Sequence, residues 1–97
     1  MIIGFQDKTT EDIFHGYNSK DARKVPIQLW HIASRKLDML NATRELKDLL
    51  APPGNRLEAL KGDLKGFYSI RINDQYRIVF HWNSGNVEKV KIIDYHK

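Results

Sequence analysis

The chain has no cysteine. That removes disulfides, thiol nucleophiles, redox pairs and thiolate-held zinc together. No apolar run reaches the roughly 20 residues a membrane span needs, and the N-terminus lacks a basic region followed by an apolar one. Proline is scarce, with three in 97 residues. The only Pro/Gly-rich stretch is Pro52-Pro53-Gly54-Asn55, and no repeat, low-complexity tract or linker accompanies it. The expectation is one domain over 1–97, cytoplasmic and away from membranes. A hydrophobic share of 41% places it among globular rather than disordered chains.

The net charge of +4 permits a nucleic acid, an acidic protein partner or neither. Its distribution is more telling. Residues 1–50 carry eight basic and seven acidic side chains, and residues 51–97 carry eight and five. The surplus lies in the second half.

The first half reads as helical. Met1-Ile2-Ile3-Gly4-Phe5 predicts a short first strand. Thr9 predicts a helix N-cap, with Asp12 three residues on in a capping-box arrangement. Ile13, Phe14 and Tyr17 form one apolar stripe, and Gly16 with Asn18-Ser19 keeps this helix short. Pro26 suits the first turn of a second helix. Trp30, Ala33, Leu37 and Leu40 repeat at helical spacing there. Asn41-Ala42-Thr43 bends or interrupts it, and Leu46, Leu49 and Leu50 resume an apolar face before Pro52.

The second half changes to period two. Tyr68, Ile70 and Ile72 alternate with polar residues, as do Tyr76, Ile78, Phe80 and Trp82. Asn83-Ser84-Gly85-Asn86 is a turn. A third run spans Val87 to Tyr95. Its adjacent Ile92 and Ile93 call for a bulge or a strand buried on both faces. The order is β-α-α-β-β-β: an α+β fold with an antiparallel-rich twisted sheet and the N-terminal helices on one face.

Register sharpens this. A loop of residues 73–75 sets Ile70 opposite Ile78 and Arg71 opposite Arg77. A two-residue loop at 74–75 would put Ile72 opposite Arg77 and waste the pattern. The better register places two arginines side by side off the core, a repulsion of up to about 1 kcal/mol. Solvated arginines on a wet face account for the pair equally well. Ser69, His81, Lys61 and Lys65 on or near that face tip the reading toward an anion site, where guanidinium groups suit phosphate.

Other chemistry is sparse. His15, His31, His81 and His96 show no metal-ligand spacing, so neither metal nor cofactor is expected. No Walker loop, dinucleotide fingerprint or nucleophile elbow is present. The ending Asp94-Tyr95-His96-Lys97 offers a histidine suited to acid or base work near neutral pH, and a frayed terminal histidine with no role accounts for it better on the residues alone.

Three stretches carry a resemblance. Pro52-Pro53-Gly54-Asn55-Arg56-Leu57-Glu58-Ala59-Leu60-Lys61-Gly62-Asp63, Ser69-Ile70-Arg71-Ile72-Asn73-Asp74-Gln75-Tyr76-Arg77-Ile78 and Asp94-Tyr95-His96 resemble, in this order, the signature of HigB-type toxins of the RelE/ParE superfamily. The likeness covers essentially the whole chain. It implies a type II toxin–antitoxin toxin that cuts messenger RNA in the ribosomal A site. It implies a HigA-like helix-turn-helix antitoxin as partner, and operator DNA only through that antitoxin. A ParE-like gyrase inhibitor, or an inactive toxin serving only as antitoxin partner and co-repressor, is the alternative.

Carried over residue by residue, Lys61 matches the family's active-site lysine and Arg77 the arginine of its aromatic-Arg-Ile motif. Asp94, Tyr95 and His96 match the C-terminal group. Arg71, Lys65 and Arg56 are the expected RNA-phosphate contacts. Glu58 stands where some relatives have a histidine, and Tyr76 where many have tryptophan.

Overall fold

The structure is a computed structural model that describes residues 1–95. Two α-helices, α1 (Lys8–His15) and α2 (Trp30–Ala42), precede four strands: β1 (Glu58–Ala59), β2 (Phe67–Arg71), β3 (Tyr76–Asn83) and β4 (Asn86–Asp94). The strands form one antiparallel sheet in the order β1-β2-β3-β4.

The expected register is present. Ile70 faces Ile78 and Arg71 faces Arg77. Side chains alternate across a strand, so Ile70, Ile72, Ile78 and Phe80 enter the core beside Ile13, Ala33, Leu37 and Leu40 from the helices. Both helices therefore cover one face. The other face carries Ser69, Arg71, Arg77 and His81.

Several local expectations are corrected. Asp7, not Thr9, caps α1: its carboxylate accepts from the Thr10 N–H at 2.9 Å. Thr9 is buried, and Thr10 Oγ1 accepts from the Ile92 N–H at 2.9 Å, tying the helix to β4. Gly16 closes the helix in the left-handed region at φ 79°. Tyr17, expected on the helical stripe, lies beyond that cap and is exposed. Pro26 sits just before a 3-10 turn, Ile27–Leu29, that leads into α2. Leu46–Leu50 is also a 3-10 turn, which buries Leu49 and leaves Leu50 exposed.

Residues 1–5 make no full strand. They run beside β4 through two isolated parallel bridges, Ile2 to Val87 and Phe5 to Val90. The bulge lies earlier than the Ile92-Ile93 pair suggested. Register shifts between the Val79 and His81 pairings, and Lys89 takes φ 52° there. One extra residue brings Val87 and Val90, three apart, to the same buried side. Strand β1 was not foreseen. It pairs Glu58 with Ser69 and Ala59 with Tyr68, which places the segment after Pro52 at the edge of the arginine-bearing face.

No helix among the described residues is long and apolar enough to cross a membrane.

Candidate functional site

Arg77 is the centre of the polar face. It is only 5% exposed. A buried guanidinium must be hydrogen-bonded to be tolerated, and three bonds hold it. Nε donates to Ser69 Oγ at 2.8 Å, and Nη2 donates to the carbonyl oxygens of Arg56 (2.6 Å) and Ser69 (3.3 Å). Ser69 comes from β2, two residues from Arg71, the directly paired residue. Arg56 comes from the turn after Pro53–Asn55, with its backbone in the left-handed region at φ 45°.

These bonds use Nε and Nη2. Among the described residues none uses Nη1. Among the described residues no buried side-chain nitrogen or oxygen lacks a partner, so against these residues Nη1 keeps some solvent access. The fixed guanidinium therefore presents one free edge outward.

That edge opens into a cleft of about 580 Å³ lined by Arg56, Glu58, Arg71, Asn73, Asp74, Gln75, Arg77 and Tyr95. Three guanidinium groups face two carboxylates, so the lining is cationic. The carboxylates are placed to yield. Glu58 Oε1 stands 3.8 Å from Arg77 Nη2 and is half exposed. Asp74 pairs with Arg71 from an almost fully exposed position. The hydrogen bond and charge of Arg71 hold the Asp74 carboxyl below its usual range. The Tyr95 ring lies over Arg77 Cζ at 5.6 Å, within cation–π reach.

The expected site residues are thus divided. Arg56, Arg71, Arg77 and Tyr95 meet in this cleft. Asp94 stands behind its rim, where Oδ2 accepts from Gln75 Nε2 at 3.2 Å. Lys61 and Lys65 flank the 3-10 turn Gly62–Leu64 between β1 and β2, exposed and outside the cleft lining. They adjoin the Phe67 end of β2. Arg71 is at the other end, about 14 Å away for four strand steps. His96 lies outside the described residues.

Other contributors went unnoticed in the sequence. The alternation puts Ser69 on this face, and its grip on Arg77 arises only when β2 and β3 pair. Asn73 and Gln75, which the pattern predicts as loop, form cleft wall. Asn73 Oδ1 accepts from the N–H groups of Gln75 and Tyr76 at 2.9 and 2.7 Å, fixing the hairpin turn. An Asn three residues before a strand is the signal that could have found it. Among the described residues there is no group of three or more His, Cys, Asp or Glu side chains able to hold a metal ion.

Preorganised cations with one exposed donor edge suit an oxyanion, and the neighbouring ring suits a base or sugar. The chain is also similar to known proteins. Residues 4–96 match the HigB-like toxin family model, described as the RelE-like toxin of the type II toxin–antitoxin system HigB. Toxin HigB-1 of Vibrio cholerae is 42% identical over 85 residues, covering 88% of this chain and 87% of that protein. Among solved structures, the YoeB dimer of Staphylococcus aureus aligns with a TM-score of 0.60 at 20% identity, over 99% of this chain and 95% of that one. YoeB in the heterotetrameric YoeB–YefM toxin–antitoxin complex of the same organism aligns at 0.57 and 18%, over 100% and 99%. At those identities the structures show a shared fold.

Proposed function

The chain belongs to the HigB-like family of RelE-like toxins of type II toxin–antitoxin systems, and from that premise we propose that it is a metal-independent endoribonuclease acting on messenger RNA in the ribosomal A site. The observation that carries this reading is the buried, triply hydrogen-bonded Arg77 with its free edge in a cationic cleft.

The reaction is transesterification within the RNA. The 2′-hydroxyl loses its proton to a base and its oxygen bonds to the adjacent phosphorus. The bond from phosphorus to the 5′-oxygen breaks, and that oxygen takes a proton from an acid. The products are a 2′,3′-cyclic phosphate and a 5′-hydroxyl. Negative charge grows on the nonbridging oxygens, where donors fixed in advance act most strongly. Arg77 serves them, with Arg71 assisting once phosphate displaces Asp74. Lys61 is the third cation of this reading, and Lys65 and Arg56 hold flanking phosphates. Tyr95 stacks on or positions the nucleotide. His96 is the acid or base, oriented by Asp94. The ribosome supplies the remaining geometry.

A HigA-like antitoxin is the partner that restrains the toxin, and operator DNA is reached only through it. The toxin–antitoxin heterotetramer of the YoeB relative supports such a partner. The test is induction in bacteria, with and without the neighbouring antitoxin reading frame. Arrest with loss of translation, relieved by the antitoxin and abolished by Arg77→Ala, is expected. Arrest through DNA damage would replace this reading with gyrase inhibition.

A further inference from the structure

A second set of polar contacts lies behind the cleft and outside it. Asn55 is fully buried, an uncommon place for an amide. Both ends of that amide are engaged. Nδ2 donates to the carbonyl oxygens of Leu49 (3.1 Å) and Ala51 (3.3 Å) and approaches Met39 Sδ at 3.3 Å. Oδ1 accepts from Lys36 Nζ, which reaches across from α2. The residue after Asn55 is Arg56, whose left-handed backbone aims its carbonyl at Arg77 Nη2. A continuous path thus runs from the Lys36 ammonium, through the Asn55 side chain and the Asn55–Arg56 backbone, to the guanidinium.

We propose that Lys36 and Asn55 are positioning residues for Arg77, setting the direction of its free edge through the Arg56 carbonyl. The proposal rests on the nuclease reading for its purpose and on these contacts for its geometry. Neither residue lines the cleft.

The strand alone does not fix Arg77. Without the Arg56 carbonyl, Nη2 keeps only the long bond to the Ser69 oxygen at 3.3 Å and the Glu58 carboxylate at 3.8 Å. The guanidinium then turns toward Glu58, and Nη1 leaves the phosphate position. A donor must hold within about 0.5 Å of its productive place, so such a turn suffices to impair the site. Lys36 is also an expensive way to fill space. Burial pushes its pKa down, and the charges of Arg35 and Arg71 push the same way. Methionine would occupy a similar volume without that cost. What lysine adds is a donor to Asn55 Oδ1.

The experiment reads Arg77 directly in the full-length protein without RNA, by solvent exchange of its side-chain N–H groups in 15N NMR. Lys36→Met is expected to speed that exchange about ten-fold or more, the scale of one hydrogen bond to a charged group. Lys36→Arg restores it. Asn55→Ser gives the same acceleration, and if it does not fold Lys36→Met decides. Leu49→Ala is the structural control. It opens a core cavity and lowers the melting temperature, yet keeps the Leu49 carbonyl and leaves Arg77 exchange unchanged. Wild-type exchange in Lys36→Met, or equal acceleration in Leu49→Ala, overturns the proposal.

Single-turnover cleavage of ribosome-held mRNA gives the second readout. Lys36→Met is expected to lower the rate of cutting while leaving KM near the wild-type value. A wild-type protein that cuts nothing overturns the nuclease reading, and the exchange measurement still decides this one.

Discussion

Removing the Ser69 hydroxyl isolates the contact that most directly fixes Arg77. In Ser69→Ala the Nε–H loses its 2.8 Å acceptor. Both residues are buried, at 2% and 5% exposure, so water has little room to replace the bond. A hydrogen bond to a charged group contributes about 1.5–3 kcal/mol, and the deletion leaves a desolvated donor unpaired. A domain of this length loses about 4–8 °C in Tm per kcal/mol. A loss of about 2 kcal/mol therefore lowers Tm by roughly 8–16 °C. Native domains of this kind hold about 5–15 kcal/mol, so Ser69→Ala stays folded at 25 °C. The decisive form is a double-mutant cycle read by urea denaturation. With Arg77→Met in place there is no Nε–H to orphan, and Ser69→Ala should then cost under about 0.5 kcal/mol. Equal cost of Ser69→Ala in both backgrounds would refute the account of how Arg77 is held.

Four further outcomes follow from single contacts. Asp74→Asn frees Arg71 from its partner, so it should tighten binding of a short RNA and steepen its salt dependence by about one phosphate contact, measured by fluorescence anisotropy across a salt series. Asp12 has its pKa lowered by hydrogen bonds from Ser19 and Lys8. A carboxyl depressed in the folded state stabilises above its unfolded value near 3.9 and loses that contribution as pH falls through its folded value, so Asp12→Asn should flatten the acid limb of Tm against pH. Gly66 has φ 93°, and a Cβ there would stand 3.0 Å from His81 Nε2, so Gly66→Ala should cost at least about 1 kcal/mol by denaturant titration. Lys89 holds the bulge at φ 52°. Lys89→Gly should be neutral or stabilising, and the β-branched Lys89→Val destabilising, by about 1 kcal/mol in calorimetry.

What was legible in the sequence was what short range determines. The alternation through Ile70, Ile72, Ile78 and Phe80, with the length of the turn between them, leaves one register that buries like with like, and the structure has it. The facing arginines came with it. The depth at which Arg77 lies was not legible, because its cover comes from Arg56 and Ser69, 21 and 8 residues away.

The same limit explains the errors. Asp7 and Thr9 are both good caps two positions apart. The choice was settled at long range, by Ile92 bonding Thr10 Oγ1. Strand β1 has two exposed residues and no periodicity of its own, so only its pairing with β2 creates it. The bulge at Lys89 leaves no apolar mark at its own position, whereas the break in alternation lies farther along, at the Ile92-Ile93 pair. The cleft wall at Asn73 and Gln75 belongs to a turn whose side chains carry no hydrophobic pattern.

The central claim is that a fixed guanidinium edge cuts RNA held by the ribosome. The direct measurement is cleavage by purified protein on ribosomes programmed with a defined message, with the new ends mapped. Wild-type protein should cut within the A-site codon and leave a 5′-hydroxyl end. Arg77→Ala should slow that step by about 10²-fold or more, the scale of losing one preorganised donor to developing charge. Intact message with wild-type protein, or undiminished cutting by Arg77→Ala, would contradict the account.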